Sequence, residues 1–207
     1  MVAMIEYAQS FIEVLNALGA RHSNPVLEVI GFDEAVQLEK KYPSKSGYLG
    51  NENWRAFYHC HDVEDKPDNE HGHFHVFINA ENDNDSDHWP HLAGLSMDTM
   101  GQPIQWFTVN QWVTSGNWLA SEQLTTNILN CSVDDNMVLV EKWLMCMMNI
   151  YLEEIRQLLL DRDAILSRYD LQSDRKKILQ ERGIYTLSTQ AINLQNKLET
   201  SILELSS

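Results

Sequence analysis

Apolar and polar residues near the amino terminus recur with the period of a helix. Apolar side chains over the first twenty positions fall at intervals of three and four residues, and they are Met4, Ile5, Ala8, Phe11, Ile12, Leu15 and Leu18. This spacing predicts an amphipathic helix with a buried apolar face. A shorter helix is expected over 33–41, because Asp33 can cap its start and the Tyr42-Pro43 step ends helical geometry.

Between Trp54 and Trp118 the pattern changes to a period of two, in which aromatic and β-branched residues alternate with polar ones. Such alternation, interrupted by Gly, Pro, Asn and Asp, is typical of antiparallel strands joined by turns. The sequence therefore predicts four strands, at 54–61, 72–79, 92–98 and 104–113.

Helical periodicity returns in the last third of the chain. Helices are predicted over 136–160, over 163–182, and from Thr186 or Ser188 onward. The expected fold is therefore α+β. We expect a single domain over 1–207, with an antiparallel sheet at 54–118 between N-terminal helices and a C-terminal helical segment at 136–207. The apolar stripe of that segment predicts packing on the core or on a second copy of the chain, as a homodimer.

Composition bears on partners and location. The 15 basic residues against 30 acidic ones give a formal charge of −15, which argues against nucleic acid and anionic membranes as partners. Glu6 and Glu13 interrupt the first helix, so no secretory signal is expected, and no apolar stretch is long enough for a membrane span. Three widely spaced cysteines fit a reducing compartment. We therefore expect a cytoplasmic protein.

Histidine is the residue that is distributed least evenly. Seven of the eight histidines lie between positions 59 and 91, and they are His59, His61, His71, His73, His75, His88 and His91. Even spacing would place about one histidine in that window, and such clustering is typical of metal binding.

Strand alternation predicts which histidines meet. His59 and His61 share one face of the first strand, and His73 and His75 share one face of the second. If the two strands pair as a hairpin, all four imidazoles come within reach of one ion, and these four are the predicted ligands. A four-histidine centre, a three-histidine centre with an open position and a two-metal centre all fit the spacing. The additional candidate ligands are His71, His88 and His91.

Several neighbours of the histidines are candidates for catalysis or substrate binding. The loops 62–70 and 81–87 are rich in Asp and Glu, and Glu70 is the carboxylate expected to act at the site. Arg55 can bind a substrate carboxylate and Asn110 can orient a ligand, so both are further catalytic candidates. The residues predicted to line a substrate pocket are Trp106, Trp112 and Gln111.

Four motifs carry a resemblance to a known family: YHCH at 58–61, HGHFHVF at 71–77, HLAGLSMD at 91–98 and WFTVNQWV at 106–113. They resemble a family of bacterial proteins of about this length that is known as a domain of unknown function, so the resemblance implies no activity. A weaker similarity is to cupins. The order of metal ligands in that family is matched by His59, His61, Glu64 and His75. The segments that would correspond to the two cupin motifs are too close together for a cupin fold. This similarity therefore implies only a cupin-like use of a metal.

The ligand type favours particular metals and reactions. Imidazole suits iron, copper and zinc, and a site poor in carboxylates disfavours magnesium and calcium. An open coordination position beside an aromatic pocket suits oxygen activation, so the sequence predicts a non-haem iron or copper oxygenase or oxidase acting on a small molecule or peptide. The alternatives are a zinc hydrolase with Glu70 or another carboxylate as its base, and a non-catalytic metal sensor, chaperone or storage protein.

Overall fold

One antiparallel sheet forms the centre of the molecule. The structure is a computed structural model that describes residues 2–45, 47–61, 67–79, 88–170 and 175–205. The strands are β1 (Leu49–Gly50), β2 (Trp54–His59), β3 (Glu70–Ile78), β4 (His91–Asp98), β5 (Pro103–Val109) and β6 (Thr186–Ala191). They lie in the order β1 to β6, so each strand pairs with its neighbour in the sequence.

Helices precede and follow the strands, which confirms the α+β fold. The helices are α1 (Val2–Ala20), α2 (Pro25–Ile30), α3 (Gln111–Thr114), α4 (Ser121–Ile128), α5 (Leu139–Ile150), α6 (Leu152–Asp170), α7 (Arg175–Leu179) and α8 (Leu194–Leu205). None of the helices in the described ranges combines the length and the apolarity that crossing a bilayer requires.

The hydrophobic core lies on one face of the sheet. Ala56 and Tyr58 of β2 and Phe74 of β3 are fully buried there, among side chains of α1 and α5. The Trp143 ring of α5 lies 6.4 Å from Phe11 of α1 and 6.2 Å from Phe74. Helices therefore cover the face that carries the even-numbered residues of β2 and β3.

The opposite face of the same strands carries a separate apolar cluster. Phe57 of β2, Phe77 of β3 and Trp89 pack together outside the main core. Glu39, Lys41 and Tyr48 border this face, together with helix α3 and Tyr185 just before β6. The histidine-bearing side of the hairpin therefore lies apart from the main core.

The predicted helix over 33–41 is wrong. The backbone of this segment turns, and its hydrogen bonds go to the edge of the sheet. The Glu39 N–H donates to the carbonyl of Cys60 at 2.8 Å, and the Tyr42 N–H donates to the carbonyl of Tyr58 at 2.8 Å. Bonds to the end of β2 thus replace the helical bonds that the Asp33 cap suggested.

The predicted strand 104–113 is too long. It ends at Val109, because the Asn110 side chain accepts a hydrogen bond from the Gln111 N–H and caps helix α3. Asn24 caps helix α2, because its side chain accepts a hydrogen bond from the Leu27 N–H. The apolar pattern of this short helix is too short to indicate a helix from sequence. The sequence analysis thus missed two short helices, each of which is preceded by a capping asparagine.

The C-terminal predictions are correct in part. The region predicted as one helix over 136–160 forms two helices that meet at Tyr151, and the second continues into the range predicted as 163–182. The helix expected from Thr186 or Ser188 is present as α8, but it begins only at Leu194, because residues 186–191 form β6 at the edge of the sheet. Two hydroxyl groups join β6 to β5, with Ser188 Oγ 2.6 Å from Thr108 Oγ1.

Candidate metal centre

The pairing of β2 with β3 brings the predicted histidines together. His59 is directly opposite His73, and Phe57 is opposite His75, in an antiparallel register. His61 follows the end of β2 and is buried, with its ring 4.9 Å from His59 and 4.8 Å from His73. The hairpin inferred from strand alternation is therefore confirmed.

A β-bulge at the start of β3 changes which neighbours join this face. The register shifts between Glu70 and Gly72, so His71 turns toward the core and shares a hydrogen bond of 2.7 Å with the Tyr58 hydroxyl. A side chain at Gly72 would meet the His59 carbonyl at 2.6 Å, so the close approach requires glycine. His71 therefore does not share the face of His73, contrary to the simple alternation.

Three histidines form the group best placed to hold an ion. His59, His73 and His75 each offer a ring nitrogen, and these atoms lie within 4.8 Å of one another. The Nε2 atoms of His59 and His73 are only 2.8 Å apart. Two nitrogens bound at 2.0–2.1 Å to one ion lie about 2.8–3.4 Å apart for angles of 90–109°. The spacing of this pair is thus close to that of two ligands on one metal.

Glu70 orients one of these rings. The bulge turns its buried side chain toward the histidine face, where Oε1 lies 2.7 Å from His73 Nδ1. An ionised carboxylate can only accept in this contact, so the His73 Nδ1–H is the donor and its Nε2 is the nitrogen directed toward His59. A histidine whose second nitrogen donates to a carboxylate is the usual arrangement of a metal ligand.

His91 contacts the ring of His75, much as Glu70 contacts the ring of His73. Its Nε2 lies 2.9 Å from His75 Nδ1, and both rings are buried. Burial, and then the positive charge of Arg162, lower the pKa of His91 to about 3. His91 is therefore neutral at pH 7, and its Nε2 can accept a hydrogen bond from the His75 Nδ1–H, which leaves His75 Nε2 for a ligand.

The cluster favours neutral imidazoles. Burial, followed by the proximity of His73 and His61, lowers the pKa of His59 to about 3. Burial and His73 also lower the pKa of His75 well below its ordinary value. Neutral imidazole is the form that binds metals, so the environment holds these rings ready for an ion.

Other polar and aromatic groups complete the surroundings of the cluster. The Phe107 ring lies 5.2 Å from His73, and it can approach because Gly94 has no side chain in its way. Ser96, opposite His73 on β4, is fully buried, and its hydroxyl has no hydrogen-bond partner among the described residues. Such a hydroxyl on the residue opposite His73 fits a site that binds a polar ligand.

A pocket of about 400 Å³ opens beside the cluster. His59, His61 and His75 form part of its wall. The aromatic residues that line it are Tyr48, Phe57, Phe77, Trp89, Trp112 and Tyr185. Its charged lining residues are Glu39, Lys41 and Arg55. Of the predicted pocket and catalytic residues, Trp112 and Arg55 therefore lie where the sequence analysis expected them.

Three other candidates lie elsewhere. Trp106 is fully buried in the main core, because its parity on β5 points it toward the helices. Asn110 caps α3 and donates to the carbonyl of Ile178 at 2.9 Å, so its amide is used structurally. Gln111 donates to the carbonyl of Gly116 and does not line the pocket. These assignments to a pocket and to catalysis are corrected.

The remaining acidic and histidine candidates are either exposed or outside the described residues. His88 is exposed, with Nδ1 3.1 Å from the carbonyl of Ser115, and it lies outside the histidine cluster. Asp68 is exposed in the turn before β3. The other acidic loop residues named above, which lie at 62–65 and 81–87 and include Glu64, are outside the described residues.

The sequence analysis missed several residues of the pocket, among them Lys41, Tyr48 and Tyr185. Lys41 and Tyr48 come from the segment before β2, and Tyr185 comes from the chain just before β6. Burial, followed by Glu39 and Glu70, raises the pKa of Tyr185 above its ordinary value, so its hydroxyl stays protonated. No local pattern marks these positions, because only the tertiary fold brings them to the histidines.

Comparisons with known proteins place the chain in a family. Searches of curated proteins and of solved structures found no match. A family model described as "Domain of unknown function (DUF6969)" matches residues 5–192. This range includes the whole sheet and the histidine cluster, which agrees with the uncharacterised family expected from the motifs. The chain therefore belongs to the DUF6969 family.

Proposed function

We propose that the protein is a metal-dependent enzyme whose ion is held by His59, His73 and His75. The observation that carries this proposal is the contact of Glu70 with His73 Nδ1 at 2.7 Å, which aims the other ring nitrogen at His59. A surface cluster of histidines has no need of a buried carboxylate that fixes one ring. His61, at the rim of the cluster, is the candidate for a fourth ligand.

The ligands favour a transition metal. Three neutral imidazoles suit iron, copper and zinc, whereas magnesium and calcium prefer oxygen ligands. Three protein ligands leave positions open for a substrate or for oxygen. The metal would supply oxygen activation, and we assign the protein to the non-haem iron or copper oxygenases and oxidases that act on a small molecule.

The pocket supports an enzyme over a storage protein. A closed metal store needs no cavity next to its ligands, whereas this cluster borders about 400 Å³ of space with aromatic walls. A volume of this size suits a small organic molecule. The chain's own residues would hold that molecule against the histidines and exclude water around it.

The hydrolase alternative loses its expected base. Glu70 is engaged with His73 and is buried, so its carboxylate is not placed to take a proton from water in the pocket. A hydrolase at this site would need another base, such as Glu39 on the pocket wall. The oxygenase proposal therefore fits the arrangement of the residues better.

Metal analysis and oxygen consumption test this proposal. Protein expressed with iron, copper and zinc available should contain about one equivalent of metal. His73→Ala and His59→Ala should lose most of it, because each removes one of three ligands. His88→Ala is the matched control, since His88 is an exposed histidine outside the cluster.

Loading the metal-free protein with iron(II), copper(I) or zinc then distinguishes the chemistries. Oxygen uptake with iron or copper that is lost in His73→Ala supports the oxygenase. Stoichiometric zinc with no response to oxygen would contradict it and favour the hydrolase. Full metal content in folded His59→Ala and His73→Ala would contradict the site itself.

A further inference from the structure

Two basic side chains lie on the wall of the pocket, next to the histidines. Lys41 Nζ lies 4.4 Å from the centre of the Phe57 ring, and the Arg55 guanidinium lies 4.7 Å from the centre of Trp89. Both also lie over the Tyr48 ring, at 5.9 and 4.7 Å from its centre. The two cations therefore share one aromatic neighbour and flank the same part of the pocket.

The aromatic rings fix the positions of these cations. A ring face attracts a cation within about 6 Å of its centre, and the attraction limits the freedom of a long side chain. Arg55 contacts Phe77 as well, at 5.6 Å. The planar guanidinium presents its N–H groups in a fixed fork that matches a carboxylate.

The charge balance makes this pair of cations unusual. The chain has 15 basic residues against 30 acidic ones, yet two cations share this wall. Each of the two positive charges attracts an anion that enters the pocket. Imidazole binds a metal in its neutral form, so a divalent ion bound there would add positive charge to the same pocket.

Three charged residues line the pocket, and they are Glu39, Lys41 and Arg55. Lys41 is close enough to His59 for its charge to act on that ring. Because two of the three residues are basic, the pocket wall carries a net positive charge next to the histidines.

We propose that this pocket binds a small organic carboxylate, with its charged group on Lys41 and Arg55 and its apolar body against Phe57 and Phe77. The proposal rests on the proposed function in one respect, that the bound molecule is the substrate of the metal centre. The pocket volume of about 400 Å³ fits a single-ring compound with a short side chain.

Binding of three acids and their neutral amides tests the proposal. The probes are benzoate, phenylacetate and 3-phenylpropionate, each compared with its amide by calorimetry on the zinc-loaded and the metal-free protein. At least one acid should bind about tenfold more tightly than its amide, as expected for charge-assisted hydrogen bonds. Lys41→Met and Arg55→Gln should each remove most of that preference.

Lys45→Met is the matched control, because Lys45 is an exposed lysine nearby that does not line the pocket. Thermal unfolding identifies any variant that has lost its fold. Equal affinities for acid and amide, no saturable binding of any probe, or an equal loss in Lys45→Met would overturn the proposal.

Metal content is measured on the same samples, so the two failures are distinguishable. An acid preference in the metal-free protein supports the carboxylate site even if His73→Ala shows that no metal is bound. Normal metal content without an acid preference overturns the carboxylate site and leaves the metal centre standing.

Discussion

At the scale of single residues, Glu70 makes the sharpest prediction. Its carboxylate is the acceptor for His73 Nδ1, and only 3% of the side chain is exposed. Glu70→Ala leaves a buried N–H without that acceptor, which should lower the free energy of unfolding by about 1–3 kcal/mol. Metal affinity should fall about 10- to 100-fold, because the ring is no longer oriented. Chemical denaturation and a competition titration with a metal indicator measure the two effects.

Asp68→Asn is the control for the Glu70 variants, since Asp68 is exposed two residues earlier in the chain. Glu70→Gln keeps an oxygen that can accept the hydrogen bond, so it should recover part of both losses. Wild-type metal affinity in a folded Glu70→Ala variant would show that the carboxylate does not orient His73.

At the scale of elements, the β2–β3 hairpin was readable from sequence because strand alternation depends only on local spacing. The pattern placed His59 beside His73, and the register confirms it. The bulge was not readable, because it depends on the close approach of Gly72 to the His59 carbonyl. That contact joins two strands, and no property of either strand alone predicts it.

Local signals also misled where the partner of a segment is distant in sequence. Asp33 suggested a helix cap, yet the segment bonds to the end of β2. Thr186 and Ser188 resemble caps too, yet the exposed edge of β5 takes these residues as a strand. Tertiary hydrogen bonds outweigh a cap that contributes about 1 kcal/mol.

The bulge itself can be tested with Gly72→Ala. A methyl group there would meet the His59 carbonyl at 2.6 Å and the Tyr58 hydroxyl at 2.7 Å. We expect a loss of about 1–3 kcal/mol in stability, together with weaker metal binding, because His71 and Glu70 would lose their present positions. Gly19→Ala is the control, since nothing lies within 4 Å of its added methyl. Unchanged unfolding and metal titration curves for Gly72→Ala would contradict this account.

Because β6 covers the edge of β5, we expect different results from two truncations of the chain. A chain that ends at Asp170 lacks β6, so it exposes the edge of β5 and loses Tyr185 from the pocket. It should aggregate or change its mass in solution. A chain that ends at Ile192 keeps β6 and lacks only α8, so it should stay folded and keep its metal site. Light scattering after gel filtration and thermal melting compare them, and similar behaviour of the two chains would contradict a role for β6.

At the scale of the whole molecule, the buried histidines make the stability of the metal-free protein depend on pH. The pKa of His59 and of His91 is lowered to about 3 in the folded chain, against about 6.5 when unfolded. The unfolded chain therefore takes up protons first, and stability present above about pH 6.5 is lost as the pH falls toward 3. At pH 5.5 each such histidine should cost about 1.4 kcal/mol relative to high pH.

Urea denaturation of the chelated protein at pH 7.5 and 5.5 measures this loss, in a range where most carboxylates remain ionised. His91→Gln should reduce the loss, whereas His88→Gln should leave it unchanged because His88 is exposed. A free energy of unfolding that is equal at the two pH values would contradict the neutral, buried cluster.

Strands β2 and β3 carry core residues on one face and pocket residues on the other, and this arrangement affects how relatives of this chain can diverge. Ala56 and Val76 face the main core, while Phe57 and Phe77, one residue along, belong to the cluster on the histidine side. Substitutions at the phenylalanines can therefore reshape the pocket without disturbing the core. We expect family members to keep the same hairpin while differing in the molecules they accept.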